Sequence, residues 1–301
     1  MNRNTLIVVL VLVALVALVW FATQPRGTAP QATPPIAGTL PDAPPETATA
    51  EVGAVRFVSW NIANLGRSKN EEEIGVMADL LRDFDLVAIQ EVVQSEAGPQ
   101  AVARLVDALE RRGFDWDYRI SDPTTGRGPE RYAFLWKPSR VRLVGQPWLE
   151  ASLADVLDRE PYMARFASGD RTMLVANFHA VPTSKDPEEE IVRLQILPER
   201  YPDDALLIAG DFNLHEDHEA FLPLYELGLA AALDDQRTTY KQIRSAEGEH
   251  LASEYDNLFF EPLELDLAAP GVLDFADRFP TLKAARYVSD HLPVYATVRW
   301  P

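Results

Sequence analysis

Chemistry-bearing side chains in this sequence recur at one kind of place. Asn61, Glu91, His179, Asp211, Asn213, Asp256, Asp290 and His291 each close or adjoin a run of apolar residues. The densest case is Leu206-Leu207-Ile208-Ala209 followed by Gly210-Asp211-Phe212-Asn213, which delivers a carboxylate and an amide where a buried strand stops. Open α/β sheets carry their chemistry at the carboxyl ends of strands. A single acidic residue or histidine at such a place commonly serves as a turn former, a cap or a satisfied core group. A whole set of them is different, because burying ionisable groups is costly unless they are paired, hydrogen-bonded or bound to a metal. Hard carboxylate and amide oxygens suit Mg²⁺, Mn²⁺ or Ca²⁺ rather than zinc, and no His-Glu-x-x-His segment or cysteine cluster competes. Two histidines beside such a cation point to proton transfer and charge stabilisation around a phosphoryl centre.

The elements that must position these groups follow from hydrophobic spacing. Val55 to Ile62 reads as a strand that ends around Asn61. Apolar residues at 74, 77, 80, 81 and 84 predict a helix over Glu71–Phe84, and Asp85–Glu91 is a second strand ending in a carboxylate. Pro99 to Gly113 has a helical stripe at Val102, Leu105, Val106 and Leu109. Trp116 to Gly128 reads as a loop leading into the strand Glu130–Trp136, and Val141–Val144 as the continuation of an antiparallel meander. Tyr162–Phe166 and Thr172–His179 form a hairpin around Ser168-Gly169-Asp170, Glu188–Glu199 reads as one helix, and the central strand follows. Tyr255–Phe260 and the segment from Ser289 to Val298 complete the body, which contains no internal repeat.

Composition bounds the class. The 301 residues carry 46 acidic and 28 basic side chains, a net charge of −18, and no cysteine. Disulfides, thiolate metal sites and thiol nucleophiles are thereby excluded. Strong acidity opposes a broad basic nucleic-acid footprint, unless bound cations or a local patch offset it. Leu6 to Ala22 is an uncharged, mostly apolar run preceded by Arg3, which predicts an uncleaved signal anchor over residues 1–23 with its amino terminus inside. Residues 24–50, rich in Pro, Thr and Ala, read as an extended linker. Residues 51–301 then form one folded domain, expected outside the cytoplasm (periplasmic or extracellular) on a single-pass membrane tether. No protein partner is implied, and the domain is expected to be monomeric.

Four motifs in order, Trp-Asn-Ile at 60–62, Ile-Gln-Glu at 89–91, Gly-Asp-Phe-Asn at 210–213 and Ser-Asp-His-x-Pro at 289–293, resemble those of the endonuclease/exonuclease/phosphatase superfamily. Glu-Arg-Tyr at 130–132, Arg-Glu-Pro at 159–161, Phe-His-Ala-Val-Pro at 178–182 and Tyr-Asp at 255–256 are similar to its deoxyribonuclease I branch. The resemblance implies a four-layer α/β sandwich, with two mixed, mostly antiparallel sheets face to face and helices outside. It further implies that Glu91 binds an essential Mg²⁺ with Asn61 beside it, and that His179 and His291 form an acid/base pair. Glu130 would orient His179, and Asp256 either His291 or the metal-bound water. Asp211 and Asn213 would hold the phosphate or water, Asp290 a metal or its partner histidine, and Arg159 a phosphate oxygen. Two positions depart from that branch: Val93 stands where it has an arginine for the DNA minor groove, and Gly128 where it has a groove-stacking tyrosine.

The expected activity is therefore Mg²⁺-dependent phosphodiester hydrolysis (Mn²⁺ or Ca²⁺ being the other candidate ions), with DNA cut internally as the first substrate. The alternative is an inositol-phosphate phosphatase or a sphingomyelinase-like phospholipase, for which Trp116, Tyr118 and Trp148 are candidate lipid-facing aromatics. A binding module on a degraded site fits less well, since every polar position the chemistry needs is filled.

Overall fold

A computed structural model describes residues 53–301; the expected anchor over 1–23 and linker over 24–50 lie outside the described residues. Among the described residues no helix is long and apolar enough to cross a membrane. The chain begins β1 (Val55–Leu65), α1 (Glu71–Leu81), β2 (Leu86–Val93), α2 (Ala97–Glu110), β3 (Asp117–Ile120), β4 (Glu130–Trp136), β5 (Arg142–Leu149), β6 (Tyr162–Ser168) and β7 (Arg171–His179). It continues α3 (Glu188–Ile191), α4 (Ile196–Arg200), β8 (Ala205–Asp211), α5 (Leu222–Glu226), β9 (Ala230–Ala231), β10 (Asp256–Phe260), β11 (Asp266–Val272), α6 (Leu282–Val288) and β12 (Val294–Arg299). Two six-stranded sheets result, ordered β11-β12-β1-β2-β4-β3 and β5-β6-β7-β8-β10-β9. Each has one parallel pair at its centre, β1 with β2 and β7 with β8, and its other ladders are antiparallel. The expected mixed, mostly antiparallel sheets are thus present, with helices packed on them.

Alternation explains how the sheets deliver the site. Successive side chains on a strand point to opposite faces. In β4 the residues Tyr132, Phe134 and Trp136 enter the core between the sheets, as do Met173 and Val175 of β7 and Leu207 and Ala209 of β8. Continuing each row by two residues reaches Glu130, His179 (through Asn177) and Asp211. Phe57 of β1 likewise leads through Ser59 to Asn61, and Leu258 of β10 leads back to Asp256. The polar centre is therefore the last layer of the apolar core, reached at one edge of both sheets. Residues of the opposite phase, among them Leu174, Ala176, Phe178, Leu206 and Ile208, pack a second core under the short helices with Phe212, Phe221 and Phe259. Strands buried on both faces read as continuous apolar runs, which is why these segments stand out in the sequence.

A buried amide bridge joins the sheets one layer below the centre. Gln90 Nε2 donates to Asn177 Oδ1 at 2.6 Å and to Ser59 Oγ at 3.0 Å, and Asn177 Nδ2 donates to the carbonyls of Ile89 and Ala133.

Several boundaries differ from expectation. The first two helices stop at Leu81 and Glu110, and the second starts at Ala97. The single helix expected over Glu188–Glu199 is three short turns, α3, a 3₁₀ turn at Val192–Gln195 and α4. Pro198 lacks the N–H that a continuous helix would donate to Leu194, and it is accommodated in the first turn of the separate helix α4. The stretch read as a loop contains β3, which pairs with β4. Val141–Val144 does not continue a meander: β5 leaves the first sheet and pairs with β6 in the second. Strand periodicity carries no information on which sheet a strand joins.

Gly210 is the tightest backbone position. Its φ is +153°, and a Cβ there would lie 1.8 Å from the carbonyl oxygen of Phe178 on the adjacent strand. Gly210→Ala is expected to destabilise the domain by about 2–5 kcal/mol through backbone strain and overpacking. A urea midpoint unchanged from wild type would show that the neighbouring strand yields freely.

Candidate phosphoryl-transfer site

Asp211 is 1% exposed and sits at the middle of the site. Its Oδ2 accepts from Asn61 Nδ2 at 2.9 Å and lies 3.4 Å from His179 Nε2 and 3.6 Å from His291 Nε2. Its Oδ1 accepts the backbone N–H of Asn213 at 2.9 Å, an Asx-type closure that turns the chain as the strand ends. In the ladders His179, Asp211 and Asp256 are direct neighbours on β7, β8 and β10. They therefore share one face.

Each histidine is held from behind by its own carboxylate. Glu130 Oε1 lies 2.9 Å from His179 Nδ1, and Asp256 Oδ2 lies 2.8 Å from His291 Nδ1. Both imidazoles thus turn their Nε2 edges toward Asp211. Asp256 also accepts from Thr238 Oγ1 at 2.7 Å. The loop bearing His291 is fixed by Ser289, whose hydroxyl donates to Asn61 O at 2.6 Å and accepts from His291 N at 3.0 Å. Lys69 Nζ adds bonds to the carbonyls of Tyr287 and Val288, the last turn of α6.

Glu91 reaches the site only through unusual backbone. Gln90 faces the inter-sheet bridge, so strict alternation would aim Glu91 away. A register shift between Ile89 and Val92 and a φ of +60° at Glu91 bring its carboxylate round to Asn61 Nδ2 at 3.1 Å and to the N–H of Asn64 at 2.9 Å. Asn64 and Asn213 also have φ of 52°. Left-handed backbone in non-glycine residues costs of order 1–3 kcal/mol each and gathers at functional sites.

A divalent cation fits here on two observations. Asn61 Oδ1 is buried and has no hydrogen-bond partner, although the same amide donates to both Glu91 and Asp211. Asp211 and Asp256 converge beside it, each with a carboxylate oxygen within 4.8 Å of the other's and of a His291 ring nitrogen, a concentration of negative charge that a cation would offset. Asn61, Glu91, Glu130, His179, Asp211, Asn213, Asp256 and His291 are thus brought together. Asn213 Nδ2 donates to Ala180 O at 3.1 Å. Two other candidates face elsewhere. Asp290 is turned to Arg286 at 3.1 Å. Arg159 stands behind His179, with its donors on Glu130 Oε2 at 3.3 Å, His179 O at 3.0 Å and Ala180 O.

Thr238, Lys69 and Asn177 carry no mark in the sequence, and Ser289 and Gln90 appear there only as motif members without a role; Gln90 and Asn177 are the two amides among them. A usable signal existed for the last two, since an amide inside an apolar strand must find a buried partner.

Burial alone would keep His291 neutral, but Asp256 and Asp211 outweigh it and raise its pKa to about 10. Asp256 is raised to about 6, by burial first and then opposed by His291. His179 is raised as well, burial being overcome chiefly by Glu130. A group whose folded pKa exceeds its unfolded one contributes stability at low pH and loses it as pH rises through the folded value. Metal-free protein is therefore expected to lose stability across Asp256's value of about 6 and on toward His291's of about 10. Thermal unfolding in EDTA over that range checks this: His291→Gln should flatten the upper part, and parallel curves for wild type and variant would contradict the assignment.

The sequence profile of the Endonuclease/Exonuclease/phosphatase family matches residues 58–291. A protein named Deoxyribonuclease from Thioalkalivibrio sp. (strain K90mix) is 32% identical over 271 residues, covering 82% of this chain and 72% of its own length. Among solved structures, a family protein from Bacteroides thetaiotaomicron has a TM-score of 0.60 at 15% identity, over 82% of this chain and 98% of its own. D. rerio TDP2 complexed with single strand DNA product gives 0.58 at 15% identity, over 82% and 99%. The mannosyl-6-phosphatase Bt3783 of B. thetaiotaomicron gives 0.59 at 16% identity, over 82% and 100%. These structures share the fold. The chain belongs to the endonuclease/exonuclease/phosphatase family of hydrolytic enzymes.

Proposed function

We propose that this enzyme is a divalent-metal-dependent DNA endonuclease that hydrolyses phosphodiesters with a two-histidine acid/base pair. The observation that carries the reading is the aim of both imidazoles: two Nε2 edges, each backed by a carboxylate on Nδ1, converge on Asp211. Glu91 and the free Oδ1 of Asn61 would hold the Mg²⁺, which when bound supplies positive charge to the non-bridging phosphoryl oxygens.

In-line hydrolysis needs a proton acceptor on one side of phosphorus and a donor on the other. One histidine takes a proton from water at Nε2 as the new P–O bond forms. The other gives its Nε2 proton to the departing ester oxygen as the old bond breaks. The carboxylates behind them stabilise each imidazolium and fix the reactive edge, so the pair works in opposite protonation states. Asp211 and Asn213 hold the water and the phosphoryl oxygens between the two rings. Arg159 steadies Glu130 and the backbone at residues 179–180 from behind.

DNA is favoured by the deoxyribonuclease relative. A phosphomonoesterase reading has one specific support: beside Glu91 lies an open cavity of about 650 Å³ lined by Asn64, Arg67, Ser68, Val93 and Ser95, large enough for a sugar or inositol ring. Two of the three aromatics of the lipid reading turn inward, Trp116 being buried and Trp148 packed against Tyr201, while Tyr118 stays half-buried on β3. The run Leu6–Ala22 supports anchoring of the full chain to a membrane, with this domain outside the cytoplasm. Recovery of the full chain from an alkaline-washed membrane fraction tests that part.

Purified enzyme is expected to nick supercoiled plasmid with Mg²⁺ and not with EDTA. His179→Ala or His291→Ala should lower kcat by about 10²–10⁴-fold while the thermal unfolding transition persists. Phosphate release from an inositol-phosphate or sugar-phosphate panel, with plasmid and single-stranded DNA untouched, would transfer the mechanism to the phosphomonoesterase reading. Undiminished hydrolysis by either variant would overturn the mechanism itself.

A further inference from the structure

Outside the centre, one other group of ligand-type side chains converges. His215 lies two residues beyond Asn213, and Asp235 and Glu254 stand near the two ends of the long connection from β9 to β10. One ligand atom from each of His215, Asp235 and Glu254 falls within 4.8 Å of the others. The Nε2 edge of His215 faces Glu254 Oε2, and its Nδ1 edge faces Asp217 at 2.8 Å and Glu216 at 3.6 Å.

One carboxylate oxygen here is shielded from water without a hydrogen bond. The Glu216 side chain is 8% exposed; its Oε1 accepts the N–H of Asp235 at 2.8 Å, while its Oε2 is turned to the imidazole beyond hydrogen-bond length. Glu254 Oε2 is shielded from water and touches His215 without hydrogen-bond geometry. Four carboxylates surround one imidazole, so the group is anionic even when the ring is protonated. Arg237, two residues from Asp235, is turned to Glu249 at 3.7 Å. A shielded carboxylate oxygen without a hydrogen bond is costly, and a divalent cation can neutralise several neighbouring carboxylates at once.

We propose that His215, Asp235 and Glu254, with Glu216 beside them, bind a second divalent cation that clamps the loop after β8 to both ends of the 232–255 connection. Imidazole mixed with carboxylates suits an ion of borderline softness such as Zn²⁺ rather than Ca²⁺. The clamp is structural. It joins segments that carry Asn213, Thr238 and Asp256, in a chain that has no cysteine with which to cross-link them.

The test uses the full chain, stripped with EDTA and then titrated with Zn²⁺ in excess Mg²⁺, by calorimetry and by thermal unfolding. Wild type and Asp211→Asn should each bind one Zn²⁺ more than His215→Ala and Glu254→Gln, and should show a Zn²⁺-dependent rise in Tm that those two variants lack. Cooperative unfolding of the metal-free variants shows that they are folded, and Glu254→Gln, nearly isosteric, stands in if His215→Ala does not fold. Equal Zn²⁺ stoichiometry in all folded proteins, or a Tm rise that survives in Glu254→Gln, overturns the proposal. Neither readout depends on turnover, so the result stands apart from the nuclease assignment.

Discussion

A carboxylate removed from water has to be answered by donors, and Asp211 is answered from three directions. Asn61 comes from β1, His179 from β7 and His291 from the turn before β12. Each of these is in turn constrained by another group: Asn61 also serves Glu91, His179 rests on Glu130, and His291 rests on Asp256. The requirement to compensate one buried charge thus fixes the relation between two sheets that share no strand. Below it, the Gln90–Asn177 bridge sets the same relation with neutral groups. Packing of the apolar rows supplies the free energy of association, and these polar contacts specify a single alignment of the sheets.

That alignment is what the proposed acid/base chemistry requires. Two proton-transfer groups on opposite sides of one phosphorus have to be held to fractions of an ångström, and strands are stiffer supports than loops. The residues with greater freedom are braced individually. Ser289 and Lys69 secure the histidine turn, and Thr238 secures Asp256. Left-handed backbone at Glu91 and Asn213 shows where the regular lattice could not by itself deliver the required direction.

Much of this was legible in the sequence because the strands concerned are buried on both faces, so each polar terminus ends an apolar run. Asp211, His179, Asn61 and Asp256 are visible in that way. What the pattern does not encode is partnership across space. The switch of β5 to the second sheet, the turn of Asp290 toward Arg286 and the retreat of Arg159 behind His179 all depend on tertiary neighbours. A motif marks a residue type at a chain position, whereas the direction of a long side chain is decided by which carbonyls and carboxylates surround it. His215-Glu216-Asp217 follows the central motif directly in sequence, yet its meaning rests on Glu254, far along the chain.

The strand order bears on the birth of the molecule. β1 lies between β2 and β12, pairing Val55 with Val298, so among the described residues the first strand is flanked by the last. The turn that carries His291 is likewise synthesised after every other residue of the candidate site. A chain grown only as far as Asp256 therefore holds the other polar residues of the candidate site without His291 or the strand that closes the first sheet. Closure over such sequence distance is slow and late. Assembly of the candidate site consequently waits on the segment from Ser289 to Arg299.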